Sequence, residues 1–131
     1  MTESEQAAAI LAAINAAIGP GATAYEYDKI PGANGNAGTE PAQYVAVALS
    51  RRYVDNRRAG GAVMLPGGRL ETRYIAKSIA NARNMRRLVT AAIEDVTLTG
   101  TGGEVGPFTF ESAEAFRPDA TYQVATDVWT F

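Results

Sequence analysis

The stretch that decides the fold is QYVAVALSRRYVDNRRAGGAVMLPGGRLETRYIAK, residues 43–77. In its first part Val45, Val47 and Leu49 alternate with other residues, the period-two pattern of a β-strand over residues 43–54. From residue 70 to residue 77, apolar and charged residues alternate, which predicts a second strand with one charged, solvated face. A glycine-rich segment joins the two strands. The stretch therefore predicts an antiparallel hairpin with an extended basic end.

A first helix is predicted before this hairpin, over about residues 3–18. Thr2 and Glu5 have the spacing of a capping box, in which each side chain satisfies a backbone N–H at the start of a helix. The sequence Gly19-Pro20-Gly21 ends the helix. Alanine fills much of the segment, and larger apolar residues recur on one helical face. This core-facing stripe consists of Ile10, Leu11, Ile14 and Ile18.

A second helix is predicted after the hairpin, over about residues 79–95. Its apolar residues recur at helical spacing and leave an arginine row on the other side. The apolar face consists of Ala82, Met85, Val89, Ala92 and Ile93. The opposite side carries Arg83, Arg86, Arg87 and Glu94.

The remaining segments predict short strands separated by turns. The strands are residues 24–27, 96–99, 108–112 and 121–131; residues 28–41 form a long irregular loop; turns lie at 100–103 and 117–119. We therefore predict an α+β fold with the order α-β-β-β-α-β-β-β. In it, two helices pack on one face of an antiparallel or mixed sheet, in a single domain covering residues 1–131.

One hydrophobic core is expected between the helices and the sheet. The periodicities select eight apolar residues that should be buried together. They are Ile14, Ile18, Val47, Met85, Val89, Ile93, Val124 and Val128.

The basic residues are concentrated in one part of the chain. Ten of the twelve fall between Arg51 and Arg87, beside two acidic residues, so this window carries a net charge of +8 and the rest −10. A molecule with this separation either holds a polyanion or stacks head-to-tail on its own copies. Arginine-rich faces that are merely solvated remain the alternative. The candidate subunit-contacting or DNA-contacting residues are Arg51, Arg52, Arg57, Arg58, Arg69, Arg73, Arg83, Arg86 and Arg87.

The composition argues against catalysis. The chain has no cysteine and no histidine, so the usual nucleophiles, neutral-pH bases and commonest metal ligands are missing. The glycine-rich turns at residues 66–69 and 100–103 lack the residues of a phosphate-binding loop. We predict no enzyme activity, no catalytic residue, no cofactor and no metal, although a site built from carboxylates alone remains open. The acidic N-terminus is unlike a signal peptide, and no membrane association is expected.

Several local features also follow a known pattern. They are an opening amphipathic helix, a variable loop, the strand Pro41-Ala42-Gln43-Tyr44-Val45-Ala46-Val47, a charged hairpin over residues 50–77, a second helix, and an aromatic-rich end over residues 122–131. In this order they resemble the tail-terminator (minor tail or neck) proteins of bacteriophages with long, non-contractile tails. The resemblance covers essentially the whole chain. The hairpin tip at residues 56–68 has no counterpart in it.

The resemblance implies a ring, typically of six copies, that caps the head-proximal end of the tail tube and joins tail to head. The implied partners are other copies, the tail-tube protein and the head-completion protein, with genomic DNA passing through the lumen. The implied location is the virion head–tail junction, reached from the host cytoplasm during assembly.

Two alternatives stay open. One is another neck or tail protein, such as a head-completion, stopper or tail-tube protein. The other is a small nucleic-acid-binding module that uses the arginine-rich hairpin.

The most specific prediction concerns the basic end of the hairpin. Arg51, Arg52, Arg57 and Arg58 follow the point at which the apolar alternation of the first strand stops. We expect these residues to project beyond the sheet and contact either the acidic surface of a neighbouring subunit or DNA in the ring lumen. The subunit contact is favoured, because the chain has ample acidic residues elsewhere.

Overall fold

The computed structural model describes residues 1–51 and 67–131, with only the backbone described at Arg51. Within these residues, two helices, α1 (Glu3–Ile18) and α2 (Ile79–Ile93), accompany eight strands. The strands are β1 (Thr23–Glu26), β2 (Gln43–Arg51), β3 (Gly68–Ala76), β4 (Leu98–Gly100), β5 (Gly103–Val105), β6 (Thr109–Ala113), β7 (Arg117–Asp119) and β8 (Tyr122–Thr130). The predicted α+β class is confirmed.

The main sheet runs in the order β1-β2-β3-β8-β6, and β7 also pairs with β8. It is mixed, because β1 lies parallel to β2 while the other pairs are antiparallel. The predicted hairpin forms its centre: β2 and β3 pair from Gln43 opposite Ala76 to Arg51 opposite Gly68. Residues 52–66, which include most of the predicted hairpin tip, lie outside the described residues.

The chain after α2 differs from the prediction of three strands. Five strands are present, and β4 and β5 form a separate two-stranded hairpin around the predicted turn at 100–103. The second predicted turn, at residues 117–119, is instead strand β7, and the chain reverses at Ala120, which has a φ of 53°. Proline at position 118 is compatible with this assignment, since β7 is a short strand with exposed side chains, where a missing N–H is tolerated.

Side chains near the two ends of α1 form hydrogen bonds with backbone groups. The Thr2 hydroxyl accepts a hydrogen bond from the Glu5 N–H at 3.1 Å, which confirms the predicted cap. Further along, Asn15 Oδ1 accepts from the Ala24 N–H at 2.8 Å, and its Nδ2 donates to the Ala24 carbonyl at 3.4 Å. Strand β1 is the edge of the sheet on this side. Asn15 therefore occupies backbone groups that would otherwise template pairing with another chain.

Both helices pack on one face of the sheet, as predicted, and all eight predicted core residues are buried. Six of them lie in the helix-side core. The prediction was wrong for β8, because Val124 packs on the opposite face with Tyr44 and Ile75. Trp129, Asp127 and Ala125 face the helices instead, since they lie opposite Leu70, Thr72 and Tyr74 of β3. The indole of Trp129 buries far more apolar area than a valine, and its burial determines which face of β8 points inward.

A substitution at Val89 tests the assignment of this core. Its side chain is fully buried between α2 and the sheet. We expect Val89→Ala to lower the free energy of unfolding by roughly 1–3 kcal/mol, since it removes buried methyl groups and leaves a small cavity. Chemical denaturation checks the value, with Ala91→Gly as the propensity control at an exposed α2 position. A loss within a few tenths of a kcal/mol would contradict the assigned phase of the helix.

Candidate assembly interface

The side of the sheet without helices is open along much of its length. Its floor is built from cross-strand rows of small or β-branched residues. Ala46 and Thr126 flank Arg73 in one row, and Ala48 and Val128 flank Glu71 in the next. These small side chains leave an open-face groove of about 840 Å³ above strands β2, β3 and β8.

One end of the groove is closed by the loop between β1 and β2, residues 27–42. Ile30 of this loop is buried against Tyr44 and Ile75. The Tyr44 hydroxyl donates a 2.6 Å hydrogen bond to Glu40 Oε1. Burial raises the pKa of Tyr44 well above its ordinary value, and the bond to Glu40 adds to the rise. This end of the groove is therefore closed by packed residues, and the Tyr44 hydroxyl there stays protonated.

Three arginines and two glutamates line the groove. Arg69 pairs with Glu71 at 3.4 Å, and Arg117 pairs with Glu114 at 3.7 Å. Arg73, in the middle of strand β3, is exposed and forms no ion pair with any residue that the structure describes. The groove therefore presents one uncompensated positive charge at its centre.

The predicted arginines on α2 occupy the other side of the molecule. Arg83 and Arg87 are exposed, and the Arg87 guanidinium donates a 2.8 Å hydrogen bond to the side-chain oxygen of Asn84. The sheet separates them from Arg69 and Arg73. The described members of the predicted basic set consequently do not form one continuous surface.

Arg86 differs from its neighbours on α2 because its guanidinium is used inside the fold. Its Nη2 lies 2.9 Å from Asp127 Oδ1 and also donates a 2.8 Å hydrogen bond to the Glu114 carbonyl. The guanidinium carbon lies 4.5 Å from the ring centre of Phe116 and 5.4 Å from that of Tyr74. These contacts hold a side chain that the sequence pattern predicts to be exposed with Arg83 and Arg87. Arg86 is therefore left out of the assembly surface proposed below.

Asp127 is the acidic partner in this network and is 2% exposed. Burial raises its pKa above the ordinary value, and the Arg86 guanidinium opposes that rise. Beside it, the hydroxyls of Thr72 and Tyr74 lie 2.8 Å apart, and the indole N–H of Trp129 donates to Thr72 at 3.1 Å. A polar cluster thus lies within the helix-side layer, held by residues of α2, β3 and β8.

An acidic surface lies along the β1 edge. Glu3, Glu26 and Asp28, together with Tyr27, line a hollow of about 360 Å³ between α1 and the sheet. Tyr27 is 61% exposed, and the three carboxylates form no ion pair with any described residue. Tyr27 also lines the end of the groove, so the two surfaces adjoin at this residue. We call the carboxylate surface, Glu3, Glu26 and Asp28, the acidic edge.

The predicted residues of the hairpin end are described only in part. The backbone of Arg51 pairs with Gly68, and its side chain is not described. Arg52, Arg57 and Arg58 lie outside the described residues. Their expected contacts remain a prediction.

The sequence reasoning missed Arg117 and the role of Glu114 at the groove, and it missed Asp127 in the core. The signal for Asp127 was present, because it shares the alternation of Trp129 along β8. Arg117 carried no such signal, since it enters the groove only through the pairing of β7 with β8.

The residues that the structure describes lack two further features. No cluster of three or more acidic residues there is arranged to hold a metal ion. No helix in that part of the chain is long and apolar enough to cross a membrane.

Comparison with known proteins identified a shared fold. No protein-family model matches the chain, and no curated protein matches it. Among solved structures, the chain resembles a protein in one described as "Virion of native gene transfer agent (GTA) particle". The match has a TM-score of 0.63 at 17% identity and covers 97% of this chain and 92% of the other.

Proposed function

We propose that the protein is a structural component of a phage-like virion, and that its role there is that of a tail terminator. In this role, copies form a ring, typically of six, that caps the head-proximal end of the tail tube and joins it to the head. The observation that carries the proposal is the fold shared, over almost the whole of both chains, with a protein of the gene transfer agent virion.

The distribution of charge supports a ring. A head-to-tail contact needs two different complementary patches on each copy. The described residues offer a groove with an uncompensated arginine on one side of the sheet and an acidic edge on another. The remaining surfaces are available for the other partners that this role requires, the tail-tube protein and the head-completion protein. Genomic DNA would pass through the lumen.

The test of the ring is the size of the assembly. We expect a monomer or weak oligomer at low concentration and a closed ring at high concentration or in particles, as observed by native mass spectrometry and electron microscopy. A stable dimer with a two-fold interface that buries residues 51–87 would contradict the proposal, because an isologous contact of this kind does not build a ring.

The hairpin end is tested by charge reversal. We expect Arg57→Glu with Arg58→Glu to abolish ring formation or the joining of tails, while the melting temperature stays nearly unchanged. Lys77→Glu, a reversal of an exposed lysine just after β3 that lines neither the groove nor the acidic hollow, is the control and should leave assembly intact. If the doubly reversed protein still assembles and completes infectious particles, the hairpin end has no role in assembly.

A nucleic-acid-binding module is the second candidate, and one observation favours it. Arg83 and Arg87 are exposed on α2, on the side of the sheet opposite the groove. Backbone phosphates are the natural partners of such a pair, and binding of this kind weakens steeply as the salt concentration rises. Salt-sensitive binding of duplex DNA by a monomer that forms no rings would favour this candidate over the terminator.

A further inference from the structure

We infer that the open-face groove of one copy binds the acidic edge of the next, with Arg73 at the centre of the contact. This inference rests on the proposed function, since it specifies which surfaces join neighbouring copies. It is drawn entirely from described residues and does not involve the hairpin tip.

Arg73 has the position and surroundings of an interface anchor. It lies on β3, the central strand of the main sheet, between Ala46 of β2 and Thr126 of β8, so that its side chain is not shielded by bulky neighbours. Both other arginines of the groove already have carboxylate partners. A guanidinium in a groove binds a carboxylate through charge-assisted hydrogen bonds, and arginine is enriched among the residues that dominate binding energy.

The acidic edge supplies a matching partner on the same chain. Its three carboxylates have no cationic partner among the described residues, and Lys29 is the nearest basic residue in sequence. Tyr27 adds an exposed aromatic ring, a residue type enriched in protein interfaces. Every copy thus carries both halves of the contact in equal number, which favours a second copy as the occupant over a different protein.

The two surfaces cannot satisfy each other within one molecule. Glu26 lines the hollow on the helix side of β1, whereas Arg73 lies on the open face of β3. Strands β1 and β3 are separated by β2, a distance of about 10 Å between backbones. The contact must therefore form between copies, and because it joins unlike patches it propagates head-to-tail until a ring closes.

Disulfide trapping tests this contact. Because the chain has no native cysteine, only the introduced cysteines can form disulfides. A chain carrying both Arg73→Cys and Glu26→Cys should give a ladder of covalent oligomers under oxidation, up to the size of the ring. Each single variant should stop at the dimer. A disulfide within one chain is excluded, since it needs Cα atoms within about 7 Å. Closed rings without a ladder of disulfide-linked oligomers would overturn the inference and leave the proposed function standing.

A ladder without closed rings would support the inferred contact and contradict the proposed function. A covalent dimer alone would indicate a two-fold contact and would overturn the inference.

Charge exchange provides an independent measurement. Arg73→Glu should weaken association about tenfold or more, and Glu26→Arg with Asp28→Arg should do the same, because like charges then face each other. All three substitutions in one chain should restore association to near the original strength. Arg83→Glu, an exposed arginine outside the groove, is the matched control and should have little effect. Equal weakening by Arg83→Glu, or no restoration in the combined variant, would overturn the inference.

Discussion

Arg86→Met is expected to lower the free energy of unfolding by roughly 3 kcal/mol, the low end of the range for breaking a buried ion pair. The reason is that Asp127, 2% exposed, loses the guanidinium that lies 2.9 Å from its carboxylate. The low end applies because the Arg86 side chain is 24% exposed, so that water can partly replace it. The bond to the Glu114 carbonyl and the stacking on Phe116 are lost as well.

The matched control is Arg83→Met, one turn earlier on the same helix. Arg83 is exposed and has no ion pair among the described residues, so its replacement should change stability by no more than about 0.5 kcal/mol. Denaturant unfolding of the two variants gives the comparison directly. Equal losses would show that Arg86 does not hold Asp127 in the folded protein.

The cost of Arg86→Met should also depend on pH. The folded-state pKa of Asp127 is raised, so folding favours its protonated form. The stability contributed by that form is present below the unfolded pKa and is lost as the pH rises through the folded pKa. Without Arg86 the folded pKa rises further, because the main opposing influence is gone. The difference in unfolding free energy between the two proteins should thus be smallest at a pH below the ordinary pKa of an aspartate, and it should widen as the pH rises through the raised folded-state pKa. Adding Asp127→Asn to Arg86→Met should remove this widening.

Trp129→Ala is expected to cost roughly 3–5 kcal/mol, the usual range for deleting a large aromatic side chain from a core. Trp129 is fully buried in the helix-side core and donates its indole N–H to Thr72. Its replacement leaves a cavity and removes one of the two described hydrogen-bond partners of the buried Thr72 hydroxyl. Trp129→Phe should cost less, because it retains most of the apolar area and loses the hydrogen bond.

Phe110→Ala is the matched control for Trp129→Ala. The Phe110 ring packs edge-on against Trp129 at 5.5 Å but is 45% exposed, so its removal leaves no closed cavity. Thermal and denaturant unfolding should place its loss well below that of Trp129→Ala. A similar loss for both would mean that the β6 edge, rather than the indole, carries the stability of this corner.

Local patterns in the sequence were enough to predict most elements of the fold. The capping pair Thr2 and Glu5 predicted the start of α1 correctly, and period-two alternation located β2 and β3. The helical stripe through Val89 and Ile93 was also assigned correctly. Such signals are readable because each depends on residues close together in the chain.

The face that β8 turns inward was not readable in the same way. Both of its alternating sets contain buried residues, because helices cover one face of the sheet while the 27–42 loop packs at one end of the other. Period two identifies a strand but does not say which set faces which layer. The large indole of Trp129 and its contact with Thr72 decide that question, and they depend on β3, more than fifty residues earlier in the chain.

The same division applies to the basic residues. The sequence by itself determined that charge is segregated along the chain, since ten of twelve basic residues lie within residues 51–87. Only the tertiary structure decided what each described arginine does. Arg86 is held inside the fold by Asp127, and Arg83 and Arg87 are exposed on α2. Arg73 lies in the groove and forms no ion pair with any other described residue. The partner of a charged side chain is set by which strands and helices come together, and spacing along the chain does not contain that information.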